Sequence, residues 1–249
     1  MDLYVIKDEL PQIAYLKIKE DNEYVLLKGY THRVIRKVLK DTIESAPNLL
    51  VEKENKIKDK YIRINQNTRK NKVLYGTVLH IDGDREYLNS CMDFYKSVNI
   101  FAWGLYIKEK EVKDKILNIL DDVKPDILVI TGHDAYNGLG IKDINNYENS
   151  KTYVDVLKKI RTRYKKDDLV IIIGACASHY EALIANGANF ASSPGRINIH
   201  TYDPAVVASK IATTSCNKVV DYENVIKHII DGKKVIGGIE TKGKMRIIY

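Results

Sequence analysis

Pro125-Asp126-Ile127-Leu128-Val129-Ile130-Thr131-Gly132-His133 and Leu169-Val170-Ile171-Ile172-Ile173-Gly174-Ala175-Cys176 decide the fold. Each holds an unbroken apolar run, as expected of a strand covered by helices on both faces. Each then passes through glycine to a side chain capable of chemistry. Before them, Val73 to Ile81 reads as a strand ending at the turn residues Asp82-Gly83-Asp84, and Ile100 to Tyr106 as a second strand. Glu86 to Val98 carries Leu88, Met92 and Tyr95 at helical spacing, and Val112 to Val123 carries Val112, Ile116, Ile119, Leu120 and Val123. Pro125 blocks that second helix from continuing. Tyr153 to Tyr164 is helical, Ser178 to Asn186 makes a further helix stopped by Gly187, and Asn189 to Ala191 fits a short strand. Strands alternating with amphipathic helices imply right-handed crossovers and a parallel sheet. The expectation is an α/β fold in three layers, with the Val73 strand beside the Ile127 strand and that one beside the Leu169 strand. The final segment, Val235 to Tyr249, reads as a hairpin around Lys242-Gly243.

The amino-terminal part reads differently. Ile13 to Ile18 and Glu23 to Leu27 are short apolar runs separated by Lys19-Glu20-Asp21-Asn22, a hairpin pattern, and Thr31 to Leu39 adds a β-branched basic stretch. Glu52 to Lys72 is almost continuously polar and cannot form a core, so it is a linker or an extended charged helix. The expected organisation is a small β-rich segment over residues 1–50, a basic polar linker over 51–72 and an α/β domain over 73–249.

Composition narrows the function. The 249 residues hold 40 Lys plus Arg against 33 Asp plus Glu, a formal charge of +7, with 45% hydrophobic residues, as in ordinary globular proteins. The run Leu169 to Ile173 falls far short of the roughly 20 residues of a membrane span, so membrane insertion is excluded at this stage. Met1-Asp2-Leu3-Tyr4 does not open a secretory signal. The pI near 9.0 permits an acidic partner, but basic and acidic residues are interleaved, which disfavours nucleic acid. Cys91, Cys176 and Cys216 are too few and scattered for a disulfide framework or a zinc motif, which points to a reducing compartment. Nucleotide binding is disfavoured, since no glycine-rich phosphate loop is present.

Ligands of open parallel sheets bind beyond the carboxyl ends of the strands. His133 and Cys176 leave neighbouring strands at that edge, roughly 4.8 Å apart by strand spacing. A histidine can take the proton of a cysteine thiol, and the helix beginning near Ser178 is expected to lower the thiol pKa. The competing reading is structural: a cysteine after an apolar strand packs as a small core residue, and a histidine at a strand end is a hydrogen-bonded loop residue. Cys91 lies on an amphipathic helix and reads as core; Cys216 has no evident histidine partner. His179 fits a helix-start residue or a rival base, and His80 a buried polar group. Asp82, Asp84 and Asp134 form an acidic cluster suited either to Mg²⁺ or to a basic substrate side chain.

Val78 to Asp84, Pro125 to Tyr136, Gly174-Ala175-Cys176, Gly187 to Pro194, Arg196-Ile197-Asn198-Ile199-His200 and Gly237 to Gly243 resemble the YabG family of sporulation-specific proteases, from about Val73 to the end. The resemblance implies an α/β core, caspase-like or flavodoxin-like in outline. It also implies an endospore-forming source, a place in the mother-cell cytoplasm and forming spore coat, and spore coat and cortex proteins as substrates. Family members behave as cysteine peptidases that favour arginine. Carried over by motif, His133 is the base and Cys176 the nucleophile. In the wider caspase-like group glycine follows the histidine, whereas here Gly132 precedes it. The amino-terminal segment, SH3-like, is expected to be truncated, with Ile13 to Leu27 matching the later strands of the family's small β-barrel-like start.

The expected activity is therefore that of a cysteine endopeptidase. Cys176 attacks, His133 moves the proton, and backbone N–H groups of Gly132 and Cys176 hold the oxyanion. A bound arginine needs a paired carboxylate, for which Asp134, Asp82 and Asp84 are the candidates in that order. No metal or organic cofactor is required. The alternative is a non-catalytic α/β module binding a nucleotide, a metal or coat proteins.

Overall fold

The computed structural model describes residues 2–63 and 73–248. Its amino-terminal part is a five-stranded antiparallel sheet of β1 (Leu3–Ile6), β2 (Tyr15–Glu20), β3 (Tyr24–Gly29), β4 (Ile35–Leu39) and β5 (Ile43–Ser45), in the order β4-β3-β2-β1-β5. The hairpin around Lys19 to Asn22 is thus formed, as β2 paired with β3. The polar stretch after it becomes α1 (Asn48–Arg63), whose Glu54 is buried. The rest of the expected linker, residues 64–72, lies outside the described residues.

The remainder comprises β6 (Val73–Leu74), β7 (Val78–Asp82), α2 (Arg85–Ser97), β8 (Ala102–Tyr106), α3 (Glu109–Val123), β9 (Ile127–Thr131), α4 (Ser150–Arg161) and β10 (Val170–Ile173). It continues with α5 (Tyr180–Ala185), β11 (Phe190–Ser192), α6 (Asp203–Thr213), α7 (Tyr222–Ile226), β12 (Ile236–Gly238) and β13 (Arg246–Ile247). Six strands form one sheet in the order β12-β11-β10-β9-β7-β8, parallel except for the β11–β12 pair. The expected neighbours, β7 beside β9 and β9 beside β10, are observed.

Side-chain alternation divides the sheet's contacts. Val78, Val129, Val170 and Ile172 pack with α2 and α6, whereas Leu79, Ile81, Leu128, Ile130, Ile171 and Ile173 pack against α3, α4 and α5. Every residue from Ile127 to Ile130 is fully buried, each worth about 1.5–3 kcal/mol of apolar transfer. This central position explains the unbroken apolar runs and fixes where their carboxyl ends emerge.

One expectation fails here. The carboxy-terminal segment is not a hairpin: β12 pairs with β11, and β13 pairs with β6. Gly238 accounts for the close fit, since a Cβ there would come within 2.3 Å of the Phe190 ring. The helix α6 has no clear signature in the sequence because nearly all of it is buried, with only Lys210 and Thr213 partly exposed. Ala205, Val206, Val207, Ala208, Ile211 and Ala212 are all fully buried, and a helix with so narrow a polar face carries little 3.6-residue alternation.

The amino-terminal sheet is pinned to the α/β part by charge and by backbone. Lys28 Nζ lies 2.7 Å from both Asp84 Oδ1 and Glu86 Oε2. Tyr87 Oη donates to the carbonyls of Gly29 and His32 at 2.7 Å, and Thr201 N–H donates to Thr31 O at 2.8 Å. Deepest is Arg33, whose side chain is fully buried and ion-paired with the fully buried Asp82 at the end of β7. Its Nη2 also donates to Thr201 O at 3.2 Å. Burial alone would raise the Asp82 pKa, but the Arg33 charge holds it down at about 2.

Removing one partner of such a pair leaves a bare buried charge. Arg33→Met is expected to cost about 3–5 kcal/mol in urea unfolding, with most of the loss recovered in Arg33→Met/Asp82→Leu. A cost below about 1 kcal/mol contradicts this. Because the folded Asp82 carboxyl lies near 2, below its ordinary 3.8, the pair's contribution is complete above pH 4 and lost as pH falls through 2. The doubly substituted protein is expected to lack that part of the acid loss.

Candidate active site

A cavity of about 570 Å³ opens beyond the carboxyl ends of β9 and β10. His133 and Cys176 both line it, and so do Arg33 to Arg36 of the amino-terminal part. The two candidate residues therefore face one cavity, yet they are not hydrogen-bonded to each other. The Cys176 thiol donates to Arg33 O at 3.0 Å and receives Ile199 N–H at 3.4 Å. His133 instead turns Nε2 toward Asp84 Oδ2 at 3.4 Å and lies tilted against the Tyr87 ring.

The local backbone is shaped for this placement. Gly174 takes φ +117°, a conformation that L side chains rarely adopt, and turns the chain between β10 and Cys176. Ala177 follows Cys176 at φ +53°, a left-handed conformation for a residue with a Cβ. Its N–H is taken by Ser193 Oγ at 3.1 Å and Ile197 O at 3.2 Å. Neither the Gly132 nor the Cys176 N–H has an acceptor among the described residues.

Electrostatics does not favour a resting thiolate. Cys176 is only 3% exposed, and burial pushes its thiol up to about 11, against the opposing influence of Ile199 N–H and the Arg33 charge. The expected lowering by a helix is outweighed: α5 begins only at Tyr180, after a turn. His179 caps that helix, its Nδ1 accepting from Ala182 N–H at 3.3 Å and its Nε2 facing Lys142 O at 3.2 Å. His80 is fully buried between Tyr95 Oη at 3.0 Å and Thr131 Oγ1 at 2.9 Å, and burial lowers its pKa. Cys91 is core, as expected, its thiol pushed up to about 12 by burial.

The three candidate carboxylates do not stand free. Asp82 is consumed by Arg33 and also accepts Thr131 Oγ1 at 2.8 Å. Asp84 caps α2 and faces Lys28 and His133; burial works to raise its pKa, but those two partners hold it well below the usual range. Asp134 lines the cavity but accepts from Ser150 Oγ at 2.5 Å, Ser178 Oγ at 2.9 Å, and the N–H groups of Asn149 and Ala135. Burial nevertheless leaves its pKa raised. Among the described residues, no group of three or more His, Cys, Asp or Glu is arranged to hold a metal.

Two further carboxylates line the cavity, Glu109 and Glu148. Glu109 opens α3 and is buried over two glycines; a Cβ on Gly83 or Gly132 would come within 2.2 Å of its Oε1. That Oε1 accepts the His133 N–H at 2.8 Å. Its place was legible in principle, since Tyr106-Ile107-Lys108-Glu109 is also the carboxyl end of a parallel strand.

Fold and cavity together define a parallel α/β protein with a cavity, lined by His133 and Cys176, at the carboxyl ends of its central strands. Within that class the chain belongs to the YabG peptidase U57 family, whose sequence profile matches residues 25–249. It is similar to the sporulation-specific protease YabG of Bacillus subtilis (strain 168), at 45% identity over 175 residues, 69% of this chain. The aligned part spans 60% of that protein's length. The profile match reaches back into β3, so it includes Arg33 and β4.

Burial orders the three thiols. With iodoacetamide near pH 8, Cys216, which is half-buried, is expected to react first, with Cys91 and Cys176 at least tenfold slower by mass spectrometry of the peptides. Cys176 labelling as fast as Cys216 would contradict a buried, protonated resting thiol.

Proposed function

We propose that this chain is a cysteine endopeptidase that acts in sporulation on protein substrates of the spore coat and cortex, in the mother cell and forming coat, with arginine preceding the cut. The single observation that carries the reading is the convergence of His133 and Cys176 on one cavity at the ends of adjacent parallel strands. Family membership and the name of the Bacillus subtilis relative support a sporulation protease, and the strand order supports a caspase-like arrangement.

The chemistry follows from the partners. The Cys176 thiol leaves the Arg33 carbonyl and passes its proton to His133, and the thiolate attacks the scissile carbonyl. The N–H groups of Gly132 and Cys176, which have no acceptor among the described residues, receive the oxyanion. His133 then protonates the leaving amine, and water releases the acyl group by the same proton path. Asp84 orients the imidazole and stabilises its charged form, a different role from direct substrate binding. Glu148 and the Oε2 of Glu109 provide negative charge for an arginine side chain; Glu109 Oε1 is held by the His133 N–H, and the oxygens of Asp82 and Asp134 by their own partners.

The test is hydrolysis of a fluorogenic arginyl peptide in reducing buffer. Cys176→Ala and His133→Ala are expected to abolish it with the far-UV spectrum unchanged, while Cys216→Ala retains it. Glu109→Gln is expected to lower kcat/KM by about 30-fold or more, the loss for leaving a desolvated guanidinium unpaired. Full activity in Cys176→Ala would eliminate the mechanism. Saturable binding of a nucleotide or metal without any cleavage would instead favour the non-catalytic module.

A further inference from the structure

The amino-terminal sheet does more than cover the α/β part. Arg33, Val34, Ile35 and Arg36 line the cavity beside Cys176, and Arg33 O is the thiol's acceptor. These residues lead directly into β4, the outermost strand of its sheet, whose far edge is unpaired among the described residues.

The register shows which backbone groups that edge presents. Gly29 N–H donates to Val34 O at 2.7 Å, so Val34 turns its carbonyl toward β3, while its N–H donates to His32 O at 2.8 Å. Antiparallel strands exchange hydrogen bonds at every second residue. With Leu27 opposite Arg36 and Val25 opposite Val38, Arg36 and Val38 also bond to β3, and Lys40 N–H donates to Glu23 O at 3.1 Å. The N–H and C=O groups of Ile35, Lys37 and Leu39 therefore point outward. All three residues are exposed, and two of them are apolar, Ile35 at 44% and Leu39 at 40%. Arg36 Nη1 reaches back to Ile35 O, but only at 3.4 Å.

An open edge with exposed apolar side chains is a template for another strand. We propose that β4 is the docking strand for the substrate, which adds to the sheet as an extended sixth strand and carries its scissile bond to Cys176. The occupant follows from continuity, because a strand paired along β4 enters the cavity at Ile35 and ends at the thiol. Residues Ile35 to Leu39 span roughly 14 Å, enough to pair with four or five substrate residues. Substrate side chains at every second position lie over Ile35 and Leu39, which favours apolar residues at alternating positions. This inference rests on the cavity being a peptidase site.

The test separates the two readings by measuring binding without cleavage. In a Cys176→Ala background, calorimetric titration uses a twelve-residue peptide with one arginine and alternating valines, together with versions N-methylated at alternate amides. Lys37→Pro removes an outward N–H and leaves the β3 ladder intact, a position where edge strands tolerate proline. The dissociation constant is expected to rise tenfold or more on Lys37→Pro and to rise similarly for one of the two N-methylated series. Absence of peptide binding, or binding indifferent to both changes, overturns the docking strand. If Lys37→Pro lowers the thermal midpoint sharply, the N-methylated peptides alone decide. Hydrolysis of the arginyl peptide by the unaltered protein reports separately on the peptidase reading. Binding along β4 without cleavage removes that reading, whereas cleavage with indifferent binding removes only the docking strand.

Discussion

The Arg33–Asp82 ion pair is the contact around which the site is assembled. Asp82 terminates β7, an interior strand of the parallel sheet between β9 and β8, and Arg33 enters from the amino-terminal part to meet it with neither side chain exposed. Two charges removed from water gain little net stability even when paired, because desolvation offsets most of their attraction. The pair instead fixes position. With its guanidinium held at Asp82, Arg33 presents its own carbonyl to the Cys176 thiol, and the next three residues become a wall of the cavity. Lys28 repeats the device at Asp84, the carboxylate that faces His133. The amino-terminal sheet therefore helps to form the cavity, in keeping with a family profile that begins at residue 25.

The same contacts define a resting state. The thiol is protonated, buried and committed to the Arg33 carbonyl, while the imidazole is turned to Asp84. Under the proposed mechanism, proton transfer requires the sulfur to leave that carbonyl, and a substrate entering along Arg33 to Arg36 would occupy the space where this exchange happens. A thiol with a pKa near 11 is mostly unreactive at neutral pH. Under the proposed mechanism, this arrangement couples activation of Cys176 to occupancy of the cavity.

Much of this was legible in the sequence, and the exceptions have physical causes. The apolar runs at Ile127 and Leu169 located the central strands, and the residues that follow them located His133 and Cys176 at one edge. The buried helix α6 left little signal because Ala205 to Ala212 is buried apart from Lys210, and the carboxy-terminal strands left little because β12 and β13 pair with distant partners. The carboxylates Asp82, Asp84 and Asp134 were found by position, but their engagement is a tertiary fact: each meets a partner distant in sequence, among them Arg33, Lys28 and Ser178. Arg33 itself carried no local signal, since an arginine in a basic β-branched stretch looks solvated until its counter-ion is known. Glu109 carried no such signal, since it follows a strand end without a cysteine or histidine.

The most direct test of the account is covalent. A peptidyl-arginine chloromethyl ketone, offered to the purified protein in limiting amount, is expected to modify Cys176 ahead of the more exposed Cys216, and to lose that selectivity in His133→Ala. Binding in the cavity would thus reverse the order that exposure alone sets. An adduct confined to Cys216, or one that forms on Cys176 equally well without His133, would contradict a thiol nucleophile activated by substrate at this site.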